Sequence, residues 1–264
     1  MIDRKMSSKQ RKPAKVPLIT SICAALALIF GLGIPALNEH VPEIKPAVSE
    51  TADTQNSSIG SLSLDELPPY SGSPWIEVNG NVPSFTEEER ALASDTDIGG
   101  IFESYSELDS LGRCGPAFAC IGLDLMPTEE RGNIGNVRPT GWQTVKYDCV
   151  EGKYLYNRCH LIGYQLSGEN ANKKNLITGT RYLNVEGMLP FENEIADYVL
   201  FTENHVLYRV TPVFEGDNLL ASGVLLEAES VEDEGKEISF CVFCYNVQPG
   251  ISLDYKTGES TLAE

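Results

Sequence analysis

The strongest constraint on the fold of this chain is an uncharged apolar run near its N-terminus. The run, VPLITSICAALALIFGLGIPAL, covers residues 16–37 and follows six basic residues within positions 4–15. At about 1.5 Å per residue, a helix of this length crosses a hydrocarbon core of about 30 Å. Basic flanks stay on the cytoplasmic side, so everything after residue 37 is expected outside the cell. We therefore predict a cytoplasmic tail and signal anchor over residues 1–37.

Cleavage of this segment as a signal peptide, with secretion of the remainder, is the alternative. A signal peptide has an apolar region of about 7–15 residues and a small-x-small cleavage site, and neither feature is clear in this sequence. Residues 38–72 are rich in Pro, Ser and acidic residues with little apolar periodicity, which predicts a flexible acidic linker. The folded domain is then expected over residues 73–264.

The charge of the chain is acidic but unevenly distributed. Twenty basic and 38 acidic residues give a net charge of −18, which is typical of a soluble, self-repelling surface. Residues 139–185 differ, because they carry six basic and three acidic residues. A polyanionic ligand would be repelled by most of the surface and tolerated at this segment.

Apolar patterns in the domain predict an α+β fold with a mostly antiparallel central sheet. The alternating segment 144–150 and the segment 154–162 flank a turn at 151–153, which is typical of a β-hairpin. Apolar residues with helical spacing follow, and three strand-like segments separated by polar turns complete the chain. The helical pattern consists of Phe191, Ile195, Tyr198 and Val199, with Pro190 in the first turn.

Six cysteines in an extracellular domain permit disulfides. Cys114 and Cys120 are plausible partners, because they lie six residues apart around a Gly-Pro pair. Cys241 and Cys244 have the spacing of a redox or zinc motif, but they lie in a strand-like segment. Residues three apart on a strand point to opposite faces, which disfavours such a motif.

One set of polar residues, in the order Arg, His, Asn, Asn and Glu, runs from the predicted hairpin into the predicted helix. The two asparagines are nine residues apart, and the glutamate follows eight residues later. Taken singly, the asparagines could equally serve helix capping and turns. The set consists of Arg158, His160, Asn175, Asn184 and Glu192.

The sequence NRCH at 157–160 resembles the Asp-Arg-Gly-His motif of the DNA/RNA non-specific endonucleases, also called ββα-metal or His-Me finger nucleases. The segment NLITGTRYLNVEGMLPFE at 175–192 is similar to the later Asn, Asn and Glu of that family. The similarity is greatest to the DNA-entry nuclease type of Gram-positive bacteria and extends from about residue 73 to the end. It implies a ββα-metal finger on the antiparallel sheet.

The resemblance also implies a sugar-non-specific endonuclease that hydrolyses phosphodiester bonds of extracellular DNA, and RNA as a second candidate substrate. His160 would be the general base, and Asn184 would bind one Mg²⁺, with Mn²⁺ as the alternative ion. Asn175 would hold the site near His160, and Glu192 would orient metal-bound water. Arg158 would contact phosphate through its forked donors. Recognition through the phosphate backbone gives little sequence preference, and no small-molecule cofactor is implied.

Two positions depart from the motif, because Asn157 stands where it has Asp and Cys159 where it has Gly. Neither belongs to the groups assigned to chemistry. Two other functions are compatible with the sequence. One is a surface-tethered nucleic-acid-binding protein that has lost catalysis. The other is a cysteine-dependent enzyme that uses Cys159 with His205, since neighbouring strand residues such as Cys159 and His160 point apart.

Overall fold

The computed structural model describes residues 67–94 and 100–263 of the chain. The predicted tail, signal anchor and most of the predicted linker lie outside these residues. Within the described ranges, no helix combines the length and the apolar character needed to cross a membrane.

Ten strands and three α-helices form the described part of the chain, together with short 3₁₀ turns at Asn79–Asn81 and Lys173–Asn175. The strands are β1 (Trp75–Glu77), β2 (Phe102–Tyr105), β3 (Ala117–Ile121), β4 (Tyr156–His160), β5 (Leu176–Thr180), β6 (Val206–Val213), β7 (Gly223–Ser230), β8 (Ser239–Tyr245), β9 (Ile251–Leu253) and β10 (Ser260–Leu262). The helices are α1 (Glu87–Ala93), α2 (Tyr164–Ser167) and α3 (Leu189–Thr202), and a π-helical turn, Leu183–Met188, leads directly into α3.

A six-stranded antiparallel sheet with the order β1-β8-β7-β6-β3-β2 is the centre of the domain. The meander from β6 to β8 arises from the three strand-like segments of the sequence, so the predicted antiparallel sheet is confirmed. Cys241 and Cys244 both lie on β8, and only Cys244 joins the main hydrophobic core. The expectation that these two cysteines point to opposite faces therefore agrees with the structure.

Helix α3 packs on one face of the central sheet and forms the main core with it. Its buried residues include Ile195 and Val199, which share a hydrophobic cluster with Tyr208 and Val224 of the sheet. Pro190 is the second residue of α3, directly after the π-helical turn, so it lies in the first turn as predicted. The predicted amphipathic helix is thus present.

The opposite face of the sheet holds α1 through a buried ion-pair network. Arg209 on β6 donates to Glu227 on β7 at 2.8 Å and to Glu89 on α1 at 2.6 Å. Ser84 also donates to Glu227 through its backbone and its hydroxyl. Because the guanidinium is shared by two carboxylates, removal of either one would leave a buried charge less well compensated.

The predicted hairpin of segments 144–150 and 154–162 is wrong. Only one isolated bridge, Lys146 to Tyr154, joins these two segments, and β4 pairs with β5 instead. Val145, Val150 and Leu155 meet in a separate small core, so their alternation reflects local burial rather than a ladder. Strand β4 therefore finds its partner across the polar loop that follows α2.

The predicted disulfide between Cys114 and Cys120 is also wrong, since both thiols are free. Cys114 belongs to the main core and donates to the carbonyls of Lys173 and Leu176, both at 3.3 Å. Cys120 lies in a different cluster with Phe85 and Leu207. Cys114 precedes β3 and Cys120 lies on it, and the two side chains belong to different hydrophobic cores.

Cys159, one of the two departures from the motif, depends on a glycine across the β4–β5 pair. Its side chain is fully buried, and its sulfur lies 3.4 Å from the sulfur of Met188. A Cβ at Gly179 would lie 2.7 Å from the Cβ of Cys159. The absence of a side chain at 179 therefore leaves the room that a side chain at 159 occupies.

We predict that Gly179→Ala lowers the free energy of unfolding by about 1–3 kcal/mol, because the added methyl overpacks the core. In a Cys159→Gly background the same change should cost far less, since the opposing Cβ is gone. Cys159→Ala is the matched control, because it keeps that Cβ. Urea unfolding of the single and double variants measures this coupling, and equal costs in both backgrounds would refute it.

Candidate active site

A cleft of about 830 Å³ lies beside the β4–β5 pair and the start of the helical segment that ends in α3. Three arginines and one carboxylate line it, although the chain as a whole is strongly acidic. Its lining residues are Arg131, Ile134, Trp142, Thr144, Tyr154, Tyr156, Asn157, Arg158, His160, Gly163, Tyr164, Gln165, Arg181, Asn184, Leu189 and Glu192. The cleft therefore carries a positive charge, which favours binding of a phosphate backbone.

Asn175 fixes the chain just after His160. Its side-chain oxygen accepts from the backbone N–H of Ile162, and its amide nitrogen donates to the carbonyl of Ile162, both at 2.9 Å. The Asn175 side chain is fully buried and does not line the cleft. These contacts give Asn175 a positioning role, and the chemical role implied by the resemblance stays a prediction.

His160 ends β4 with its imidazole at the wall of the cleft. Its Nε2 lies 2.8 Å from the carbonyl oxygen of Asn170, which can only accept, so Nε2 carries the hydrogen. The neutral ring then has its lone pair on Nδ1. Burial lowers the pKa of His160 and the positive charge of Arg131 lowers it further, against the contact with Asn170. The imidazole is therefore neutral and basic at Nδ1 at neutral pH.

Arg131 is a site residue that the sequence did not indicate. It lies in the irregular segment before β4, and its Nη2 is 3.3 Å from Nδ1 of His160. Its guanidinium is exposed within the cleft. It precedes His160 by 29 positions and lies in a stretch without helix or strand pattern, so no local signal in the sequence connects the two residues.

Arg158 lines the cleft on the same strand as His160, but its donors are largely occupied. Its Nε donates to the carbonyl of Val137 at 2.5 Å and its Nη2 to the carbonyl of Gly135 at 2.8 Å. Its guanidinium also lies 4.0 Å from the ring centre of Trp142. Arg158 thus holds the segment 135–142 against the β4–β5 pair. A contact between Arg158 and phosphate stays a prediction.

Asn184 lies in the π-helical turn before α3 and faces the cleft. Within residues 67–94 and 100–263, its side-chain amide makes no hydrogen bond to another protein group, which leaves its oxygen free for a ligand. The wider π turn is a feature that often accompanies functional sites in helices. One continuous helical segment from residue 181 to 202 carries both Asn184 and Glu192.

Glu192 enters the cleft wall from the first turn of α3 and is buried. Burial raises its pKa to about 7, against the lowering effects of the Gly163 backbone and Arg131. A Cβ at Gly163 would lie 2.6 Å from a carboxylate oxygen of Glu192, so only glycine leaves room for this carboxylate.

The remaining candidates lie away from this chemistry. His205 contacts Glu232 through its ring and donates its backbone N–H to the same carboxylate at 2.8 Å. Cys159 points into the core, where burial raises the pKa of its thiol well above the usual range. The cleft does not contain His205 or Cys159, which disfavours a nucleophilic cysteine enzyme built on this pair.

The ligand chemistry of the cleft fits a hard divalent cation. In the part of the chain that the structure describes, no three His, Cys, Asp or Glu side chains are grouped as metal ligands. The ligand implied by the resemblance, Asn184, is an amide, and its oxygen faces the cleft that also holds Glu192. Mg²⁺ prefers such oxygen ligands and keeps several waters, so one protein ligand suffices for it.

A family model described as DNA/RNA non-specific endonuclease matches residues 93–232. The chain belongs to this family, and the predicted enzyme class, an endonuclease, is confirmed. The stretch shared with the family contains His160, Asn184 and Glu192.

The known proteins and solved structures that are similar to this chain include several nucleases. A deoxyribonuclease of Streptococcus dysgalactiae subsp. equisimilis is 31% identical over 112 residues, and the match spans 40% of this chain but only 32% of the relative. The crystal structure of NucA from Streptococcus agalactiae with no metal bound has a TM-score of 0.63 at 25% identity, and covers 76% of this chain and 92% of NucA. The structure of NucA with a magnesium ion bound has a TM-score of 0.62 at the same identity, with 75% and 91% covered. The Sda1 nuclease with a bound zinc ion shares the fold, with a TM-score of 0.57 at 24% identity over 72% of this chain and 97% of Sda1.

We predict that Glu192 makes the metal-free protein less stable as pH rises. Its folded pKa of about 7 exceeds the unfolded value of 4.5, so the folded state holds an extra proton between these values. Stability should fall from about pH 4.5 through pH 7, by about 3 kcal/mol in total. Urea unfolding in EDTA should show this decline in the unmodified protein, and Glu192→Gln should remove it. An equally steep decline in Glu192→Gln would contradict the assignment.

Proposed function

We propose that this protein is a metal-dependent endonuclease that hydrolyses phosphodiester bonds of DNA with little sequence preference, and of RNA as a second substrate. The observation that carries the proposal is the state of His160, whose Nε2 is bound to a backbone carbonyl and whose basic Nδ1 adjoins an arginine in a positively charged cleft. A neutral imidazole beside a cation is suited to take a proton from water that attacks a phosphate.

His160 and Arg131 in the cleft, and the buried Asn175, have different roles in this reaction. Nδ1 of His160 accepts the proton of the attacking water, and the carbonyl of Asn170 stabilises the resulting imidazolium through Nε2–H. Arg131, next to the base, supplies positive charge to the phosphate as negative charge grows on its oxygens. Asn175 keeps the base in place through Ile162, as its two hydrogen bonds require.

Asn184 would hold the divalent cation, and Glu192 would orient a water bound to it. When bound, the ion offsets charge on the phosphate and on the leaving oxygen. Mg²⁺ is the favoured ion, with Mn²⁺ as its substitute, and the magnesium-bound structure of NucA supports this choice. The raised pKa of Glu192 fits the proposal, because a nearby cation would return the carboxylate to its charged form.

The cellular location follows from the sequence outside the described residues. We propose that residues 16–37 anchor the protein in the membrane with the endonuclease domain outside the cell, so that extracellular nucleic acid is its substrate. Fractionation of cells that express the full chain tests this location, since a secreted protein would appear in the medium and not in the membranes.

We predict that His160→Ala lowers kcat on plasmid DNA by about 10²–10⁴-fold, the usual contribution of a general base. His205→Ala is the matched control and should retain activity within about twofold, because that histidine lies outside the cleft. EDTA should abolish cleavage, and Asn184→Ala should raise the Mg²⁺ concentration required for half-maximal rate. Full activity of His160→Ala would refute the mechanism. Binding of DNA without cleavage by the unmodified protein would instead indicate an inactive binding protein.

We further predict that Arg131→Gln moves the acidic limb of the kcat/KM profile to higher pH. The base is active only when neutral, and the charge of Arg131 lowers the pKa of His160. Loss of that charge raises the pKa, so protonation would inactivate the variant at a higher pH. Initial rates from pH 4.5 to pH 9 measure the shift. A lower kcat with an unchanged limb would assign Arg131 to the phosphate alone.

A further inference from the structure

Arg181 is the one cleft arginine to which neither the motif nor the base gives a role. It follows β5, and its backbone N–H donates to the carbonyl of Leu155 at 2.7 Å. Its side chain lines the cleft, yet its Nε is buried and has no hydrogen-bond partner among the described residues. Its Nη2 lies 3.5 Å from a carboxylate oxygen of Glu151, whose side chain is 79% exposed.

These contacts leave the guanidinium poorly satisfied. A buried N–H without a partner is unfavourable, and an exposed ion pair of this length contributes little to stability. The other two arginines differ, because Arg158 is held by two carbonyls and Arg131 adjoins His160. An arginine guanidinium at the wall of a cleft supplies the charge and the donors that suit an oxyanion such as a phosphate.

Arg181 lies beside the residue proposed for the metal, and its backbone is distant from that of the base. It precedes Asn184 by three residues on one helical segment, and side chains with that spacing are neighbours. Arg181 lies opposite Leu155 in the register of the β4–β5 pair. Leu155 precedes His160 by five residues, which corresponds to about 17 Å between their backbones along a strand. Arg181 therefore borders the side of the cleft that holds the proposed metal ligand, rather than the side of the base.

We propose that Arg181 binds a backbone phosphate next to the one that is cleaved, and that Glu151 is a competing counter-ion which this phosphate displaces. The proposal rests on the proposed function, since it adds a second phosphate subsite to the same cleft. Arg181 is then a substrate-binding residue that raises affinity for chains of two or more phosphates, without contributing to the chemical step.

Binding of a fluorescent single-stranded oligonucleotide to the His160→Ala protein in EDTA tests the proposal without cleavage. Arg181→Gln should weaken binding by about tenfold and reduce the slope of log affinity against log salt by about 0.7, because one phosphate contact is lost. Glu151→Gln should strengthen binding by about two- to fivefold, because the competing charge is gone. Lys236→Gln is the matched control. This exposed lysine lies in the β7–β8 connection away from the cleft, so its change should have no effect on affinity.

The two substitutions at the ion pair distinguish a binding role from a structural one. If Arg181 and Glu151 only stabilised the fold next to the β4–β5 pair, both changes would lower the thermal midpoint. The two changes would then not shift the affinity for the oligonucleotide in opposite directions. Arg181→Lys keeps the charge without the fork and should show intermediate affinity, which also covers failure of the glutamine variant to fold. Unchanged affinity of Arg181→Gln would overturn the proposal, as would weaker binding by Glu151→Gln.

Steady-state kinetics with His160 intact separate this proposal from the proposed function. Arg181→Gln should raise KM for DNA while kcat stays within about twofold. A fall in kcat with unchanged KM would place Arg181 at the reacting phosphate and overturn the second subsite. If the unmodified protein does not cleave DNA, the proposed function fails, and the binding experiment still decides the role of Arg181.

Discussion

The pairing of β4 with β5, fixed at one end by the amide of Asn175, is the interaction on which the cleft depends. The two hydrogen bonds of this amide to Ile162 tie the turn after His160 to the start of β5. Because β5 leads directly into the helical segment that carries Asn184 and Glu192, one strand pair sets the relation of the base to the residues proposed for the metal. The central sheet then supports this unit through the packing of α3.

Burial has opposite consequences for the two titratable groups of this unit. For His160, burial favours the neutral imidazole, which is the form a general base requires. For Glu192, burial favours the protonated carboxyl, which is the form least suited to interact with a cation. Burial therefore disfavours the ionised carboxylate at Glu192 and favours the neutral imidazole at His160. Positive charge in the cleft, whether from Arg131 or from a bound ion, favours the ionised carboxylate.

The sequence predicted elements that depend on local pattern. The helix over Phe191–Val199 and the meander from β6 to β8 follow from apolar periodicity and were found as expected. The partner of β4 was not predictable in this way. Segment 144–150 alternates as a strand does, but its apolar residues fill a small core beside the hairpin. Strand pairing is a non-local choice, and it was decided by the contacts of Asn175 and by the packing beneath β5 rather than by alternation.

The same distinction explains which site residues could be found from the sequence. His160, Asn184 and Glu192 occur in a motif with fixed spacing, so a resemblance was enough to select them. Arg131 has no such spacing and gains its place from tertiary structure, whereas Arg181 lies within the matching segment but has no role that the resemblance implies. Arg131 reaches His160 from an irregular segment, and Arg181 faces the cleft because the chain bends from β5 into a helical turn. Cys159 departs from the motif, and the absence of a side chain at Gly179 provides the room for it. Gly179 is not one of the residues that the motif specifies. Arg131 therefore joins the site from outside the motif that identifies the chemistry.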